Sequence, residues 1–185
     1  MELIKGRPEN CEGRLAREVR VYDFLDSLGI EYFRTDHDEA NTMEVCNEID
    51  KVLGTLICKN LFLCNRQKTD FYLLMMPGDK PFKTKDITKQ LGCSRLSFAD
   101  SEAMLEYLDI KPGAVSIMGL INDKDNKVRL VMDRAVVEED TIGCHPCVST
   151  SSLKIKTDDI LNVYLPAVHH EPTFVELPDY QENDQ

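Results

Sequence analysis

Two residues stand out for the chemistry their types and settings could support. Lys59 lies in a run, Thr55 to Asn65, that reads as a strand, so Ile57, Lys59, Leu61 and Leu63 share one face. A lysine in an apolar row is costly to bury without a partner. Either it snorkels from a sheet edge into water, which discourages edge-to-edge pairing, or it meets an anion. That anion would be a phosphate or the developing oxyanion of a reacting ester. His145 sits in Gly143-Cys144-His145-Pro146-Cys147, a loop whose backbone amides are free to meet a ligand. The alternative for His145 is a ring satisfied by its neighbours in a turn.

The same segment carries Cys144-x-x-Cys147, the spacing of a redox dithiol or of half a zinc site. A dithiol wants its first cysteine at a helix N-terminus, and here the strand formers Val148, Ser149 and Thr150 follow. Zinc needs two more ligands, and His169-His170 are adjacent rather than spaced, so no metal or other cofactor is expected. A Cys144–His145 dyad is disfavoured because neighbours point apart in an extended chain. Cys46, Cys58, Cys64 and Cys93 read as small core residues. Lys80, Lys83, Lys85, Lys89 and Arg95 form one locally basic stretch, either a solvated surface or a phosphate-contacting patch.

These residues need a frame, and the chain supplies one. At 185 residues, with 42% hydrophobic and 30% charged residues, it has the size and composition of one globular domain. Twenty-two basic against 33 acidic residues give a net charge of −11, which excludes nucleic-acid affinity through bulk positive charge but not through a local patch. No apolar run approaches a membrane span, no signal-peptide core follows Met1, and seven scattered cysteines read as reduced thiols. A cytoplasmic protein without a membrane partner is expected.

Helical spacing over 14–28 stops at Gly29, and Ile30 to Arg34 reads as a strand. Asn41 and Glu44 suggest a capping pair for a helix ending before Gly54. Strands are expected at Thr55–Asn65, Phe71–Met76, Arg95–Ala99, Ala114–Met118, Val128–Met132, Cys147–Ile155 and His170–Leu177. Helices are expected at Asp86–Leu91, from Asp100 or Ser101 to Leu108, and after a Thr157-Asp158-Asp159 cap. The interleaving lacks a regular βαβ rhythm, so the fold class is mixed α/β, a mixed sheet flanked by helices. The first dozen residues read as irregular, and the chain from Glu176 as a loose acidic tail. No Gly-rich phosphate loop occurs.

Several segments together resemble a known family. In order they are Lys59-Asn60-Leu61-Phe62-Leu63, Leu74 to Lys80 (Leu-Met-Met-Pro-Gly-Asp-Lys), Leu91 to Phe98, and Pro112 to Ser116. Gly119 to Asp123 and His145-Pro146-Cys147 complete the series. The chain resembles the YbaK/ProX aminoacyl-tRNA editing domains, most of all the free-standing alanyl-tRNA(Pro) deacylases. The resemblance implies one domain over 1–178, a curved, partly barrel-like mixed sheet ringed by helices, and an acidic tail over 179–185. It implies hydrolysis of the ester on mischarged Ala-tRNA(Pro), with Cys-tRNA(Pro) or a non-catalytic tRNA-binding role as alternatives. The tRNA(Pro) acceptor end would be the partner, with prolyl-tRNA synthetase open as a second.

By the same resemblance Lys59 matches the family's essential lysine and His145 the histidine bordering ester and ribose, as base or as positioner. Asn60, Gly119, Asn122, Gly143, Ser149 and Thr150 would contact substrate, and Arg95 would help read the acceptor end. Ser149 departs from the family's asparagine, which removes an amide's two-sided contact.

Overall fold

The computed structural model describes residues 1–180; residues 181–185 of the expected tail lie outside them. The strands, in chain order, are Ile4–Lys5 (β1), Tyr32–Asp36 (β2), Lys59–Asn65 (β3), Phe71–Met76 (β4) and Leu96–Phe98 (β5). Val128–Asp133 (β6), Thr141–Cys144 (β7), Ser151–Lys156 (β8) and Thr173–Val175 (β9) follow. The helices are Ala16–Ser27 (α1), Met43–Leu53 (α2), Thr84–Leu91 (α3), Ser101–Leu108 (α4) and Arg134–Val137 (α5). A 3-10 turn covers Ile117–Asn122, and a last helical stretch runs over 157–167.

The strands form two sheets. One is antiparallel, in the order β1-β2-β8-β7; the other has the order β5-β3-β4-β6-β9, with β6 parallel to both β4 and β9. All six residues of β4 are buried, as a central strand covered on both faces demands. Phe71, Leu73 and Met75 enter the large core between the layers, and Tyr72, Leu74 and Met76 enter a smaller outer core under α3. In β3, Phe62 and Cys64 point into the large core while Leu63 and Leu61 join the outer one. Alternation therefore sets Lys59 on the outer side and Asn60 on the inner.

Several local expectations differ from what forms. The strand expected from Thr55 begins at Lys59, and ahead of it Ile57 makes one parallel bridge to Gly143. Ala114–Met118 is not a strand: the Ser116 hydroxyl accepts Met118 N–H (3.1 Å) and Asn60 Oδ1 accepts Ile117 N–H (3.0 Å), so side chains take the amides a ladder would need. The extended run expected from Cys147 starts at Ser151, after a turn in which Cys147 has φ 62°. Thr42, not Asn41, caps α2. Thr157 caps no helix but donates its hydroxyl to Glu139 O, and the following stretch widens to a π-helix over Ile160–Tyr164.

The lead-in holds β1, paired with β2 through Ile4 and Arg34. β7 and α5, each of four residues, were not expected. The tail is tied down as far as it is described: Gln90 exchanges hydrogen bonds with Glu176, Tyr180 donates to Asp86 (2.7 Å), and Leu177 is buried.

Candidate functional site

The two sheets meet at a seam, and both residues singled out for chemistry stand beside it. Cys58 N–H donates to Gly143 O (2.9 Å), Thr55 Oγ1 donates to Thr141 O (3.4 Å), and Asp50 Oδ1 accepts Ile57 N–H (3.1 Å). The contact requires glycine. A Cβ on Gly143 would lie 2.8 Å from Leu56 O and 3.0 Å from Ile57 Cα, and one on Gly78 only 2.3 Å from Ile57 O.

Register then aligns the side chains. Ile57 bridges Gly143 in parallel; two residues further on each segment stand Lys59 and His145. Cys144 pairs with Leu153, and Leu153 with Arg34; the next level outward is His145, Ser152 and Thr35. Cys144 and Leu153 face the large core. His145, Ser152 and Thr35 therefore share the opposite face of that sheet, while Lys59 opens β3 across the seam.

Lys59 is half-buried, and Nζ donates to Lys80 O (2.8 Å), leaving two of its three N–H donors for a ligand. The loop carrying that carbonyl is fixed from behind. Lys80 Nζ binds Asp133 Oδ2 (2.8 Å) and Leu177 O (2.8 Å), with the two charged side chains 12% and 2% exposed. Lys80 is thus a structural cation and drops out of the expected phosphate patch. Lys83 leaves it too, lying 3.7 Å over the Tyr180 ring, whereas Lys85 and Lys89 are exposed.

His145 donates Nδ1–H to Ser151 O (2.8 Å), and Nε2 makes no hydrogen bond among the described residues. Burial lowers its pKa, the Ser151 bond pulling it up and His37 pushing it down. The ring is consequently neutral at pH 7, with Nε2 an acceptor. His37 and Ser152, which the sequence did not mark, lie against it: His37 Nε2 is 2.8 Å from Ser152 Oγ, and that oxygen is 3.4 Å from His145 Nδ1. Their signal in the sequence is slight: the strand expected over Ile30 to Arg34 stops short of His37, and Ser152 falls in an expected extended run with no mark of its partner.

The other expected contacts scatter. Asn60 faces inward, donating to Cys58 O as well as accepting from Ile117. Gly119 is packed on Leu108 and Ile110. Asn122 spends its amide on Arg20 and Leu108 O (both 2.8 Å). Ser149 donates to Glu39 (3.3 Å) and, with exposed Thr150, lines a cavity of about 630 Å³ that also has Arg14, Arg17 and Lys111 in its wall. Arg95 is exposed just before β5, which pairs with the far end of β3, about 20 Å from Lys59 by strand rise. Cys144 and Cys147 are buried free thiols, and burial pushes Cys144 up to about 12.

Residues 37–163 match the family described as the aminoacyl-tRNA editing domain. The chain belongs to that family. The editing domain is 31% identical over 136 residues, 74% of this chain and 83% of the relative, to the prolyl-tRNA editing protein ProX of Acetoanaerobium sticklandii. It is 30% identical over 166 residues, 88% of this chain and 94% of the relative, to prolyl-tRNA synthetase associated domain-containing protein 1 of Bos taurus. In fold it is similar to the crystal structure of a candidate trans-editing enzyme for prolyl tRNA synthetase, at TM-score 0.65 and 13% identity over 89% of this chain and 99% of that one. The mixed α/β editing fold expected from the sequence is the fold found. Among the described residues no helix is long and apolar enough to cross a membrane.

Proposed function

We propose that this chain is an aminoacyl-tRNA deacylase acting in trans on alanine wrongly esterified to tRNA(Pro). Membership of the editing family supports the reaction class, and the seam that joins the segments leading to Lys59 and His145 supports the site. An aminoacyl ester is already labile, so the barrier to be removed is modest and can be met by positioning and charge. Lys59, its ammonium held by the Lys80 carbonyl, offers its remaining donors to a phosphate or to the carbonyl oxygen as negative charge develops there. His145, neutral with Nε2 free, accepts a hydrogen bond from the attacking water or from the ribose hydroxyl. Proline is spared because a pocket sized for alanine excludes its ring, the second sieve of an editing system. The acceptor end of tRNA(Pro) is the partner, with Arg95 reading it well away from the ester.

The test is hydrolysis of Ala-, Cys- and Pro-charged tRNA(Pro) by purified protein with EDTA present. Rapid loss of alanine with prolyl-tRNA untouched is the expected result. Faster loss of cysteine would reassign the substrate, and no acceleration on any of the three would leave a binding module.

A further inference from the structure

His37, Ser152 and His145 form a continuous hydrogen-bonded unit under α2, and its polarity can be read from the outside in. Asp38 O lies 2.8 Å from His37 Nδ1; a carbonyl only accepts, so Nδ1 carries the proton. Neutral His37 then presents Nε2 as an acceptor, and Ser152 Oγ–H donates to it at 2.8 Å. With its hydrogen so committed, Ser152 Oγ turns lone pairs to His145, whose Nδ1–H has Ser151 O at 2.8 Å and Ser152 Oγ at 3.4 Å as acceptors. Every donor and acceptor in the chain has one direction. Ser152 is fully buried, and the two ring centroids are 6.4 Å apart.

The surroundings hold the unit in place. Asp36 pairs with Ser151 across β2 and β8, accepts the Ser151 hydroxyl (2.9 Å), and is itself bound by Arg14 (2.9 Å) and Arg34. His37 N–H donates to Thr150 O (3.0 Å). The charged groups around His37 are Asp36, Asp38 and Glu39 from its own segment, Glu48 from α2 and the amino-terminal Met1, ringing a hollow of about 550 Å³. Lys59 lies two residues past Ile57 on the other side of the seam.

We infer that Ser152 and His37 are positioning residues for His145: the serine hydroxyl couples the two imidazoles and, beside the Ser151 carbonyl that fixes the Nδ1–H tautomer, holds the ring in place with Nε2 left as the acceptor facing the chemistry. This rests on the deacylase reading for its catalytic consequence, though not for the tautomer. A positive charge on His37 would turn Nε2 into a donor, force the serine hydroxyl to rotate, and disfavour a second charge on His145. The two rings therefore resist carrying positive charge together.

Two readouts test this on the full chain, with melting temperature checking the fold. Imidazole ¹⁵N shifts should show wild-type His145 protonated at Nδ1, and Ser152→Ala should move the His145 and His37 shifts as the shared hydroxyl is lost. On Ala-tRNA(Pro), Ser152→Ala and His37→Ala should lower kcat about tenfold with KM little changed, as loss of an orienting partner does. His37→Gln keeps a neutral acceptor for Ser152. It should retain most activity at pH 7 while the acid limb of the pH–rate profile moves to higher pH. Wild-type His145 protonated at Nε2, or Ser152→Ala within about twofold of wild type with unchanged ¹⁵N shifts, would overturn the inference. Were the wild type to hydrolyse none of the esters, the proposed function would fall and the ¹⁵N spectra alone would still decide this one.

Discussion

The molecule holds two buried histidines whose environments push their basicity in opposite directions. His145 has a carbonyl and a serine hydroxyl for partners and no carboxylate; burial wins and its pKa falls. His170 is also buried, and burial alone would lower it. Its Nε2, however, lies 2.9 Å from Asp123 Oδ2 and its Nδ1 2.8 Å from Val168 O, and together these bonds raise its pKa. Asp123 responds in kind: burial opposes its charge, but His170 and the amides of Lys127 and Val128 bring its pKa below the usual carboxylate range. One ring is kept neutral with a nitrogen to spare, the other charged with both nitrogens spent. A histidine's burial says little about its role until the partners of both nitrogens are counted.

The sharpest way to test the contrast is to truncate each ring. His145→Ala, like Lys59→Ala, should cost about 10²–10³ in deacylation, the scale for losing one group that meets developing charge, with the melting temperature nearly unchanged. An active Lys59→Ala protein would remove the central assignment. His170→Ala should do the reverse, leaving Asp123 buried without its cation. The expected cost is about 3–5 kcal/mol of stability by denaturant titration, with near-normal turnover in the fraction still folded.

Next comes the pH dependence of stability. His170 is raised in the fold, so its stabilisation is complete below the unfolded value near 6.5 and is lost as pH climbs through the raised pKa. His145 is lowered, so the fold resists its protonation and stability drops as pH falls from about 6.5 towards that lower pKa. His170→Gln should flatten the alkaline slope alone and His145→Gln the acid slope alone; melting curves across pH that fail to separate the two would break the comparison. Gly143→Ala should lower activity more than stability, because its Cβ must push the seam apart beside Leu56 O. Least affected should be Cys144→Ser, whose modest cost in a buried site should appear in melting temperature and not in the rate.

The sequence made some of this legible and hid the rest for physical reasons. Period-2 alternation gave the outward face of Lys59, and the central strand Phe71–Met76 was plain from composition. The seam between the segments leading to Lys59 and His145 was hidden, because a single bridge between distant segments leaves no local signature. Asn60 and Asn122 look like ligand-binding amides in sequence, yet the fold uses both to tie backbone. His37 escaped because its partner Ser152 is remote in the chain and brought near only by the β2–β8 register.

The seam also has a kinetic meaning. Thr55 and Thr141 are 86 residues apart, and everything between them must be in place before their segments can meet. Closing so long a loop for few hydrogen bonds is entropically late work, rewarded only once the surrounding sheets exist. The site should therefore be among the last features to form as the chain folds and among the first to part as it unfolds. Ester hydrolysis would then report completion of the native structure more stringently than any probe of its helices.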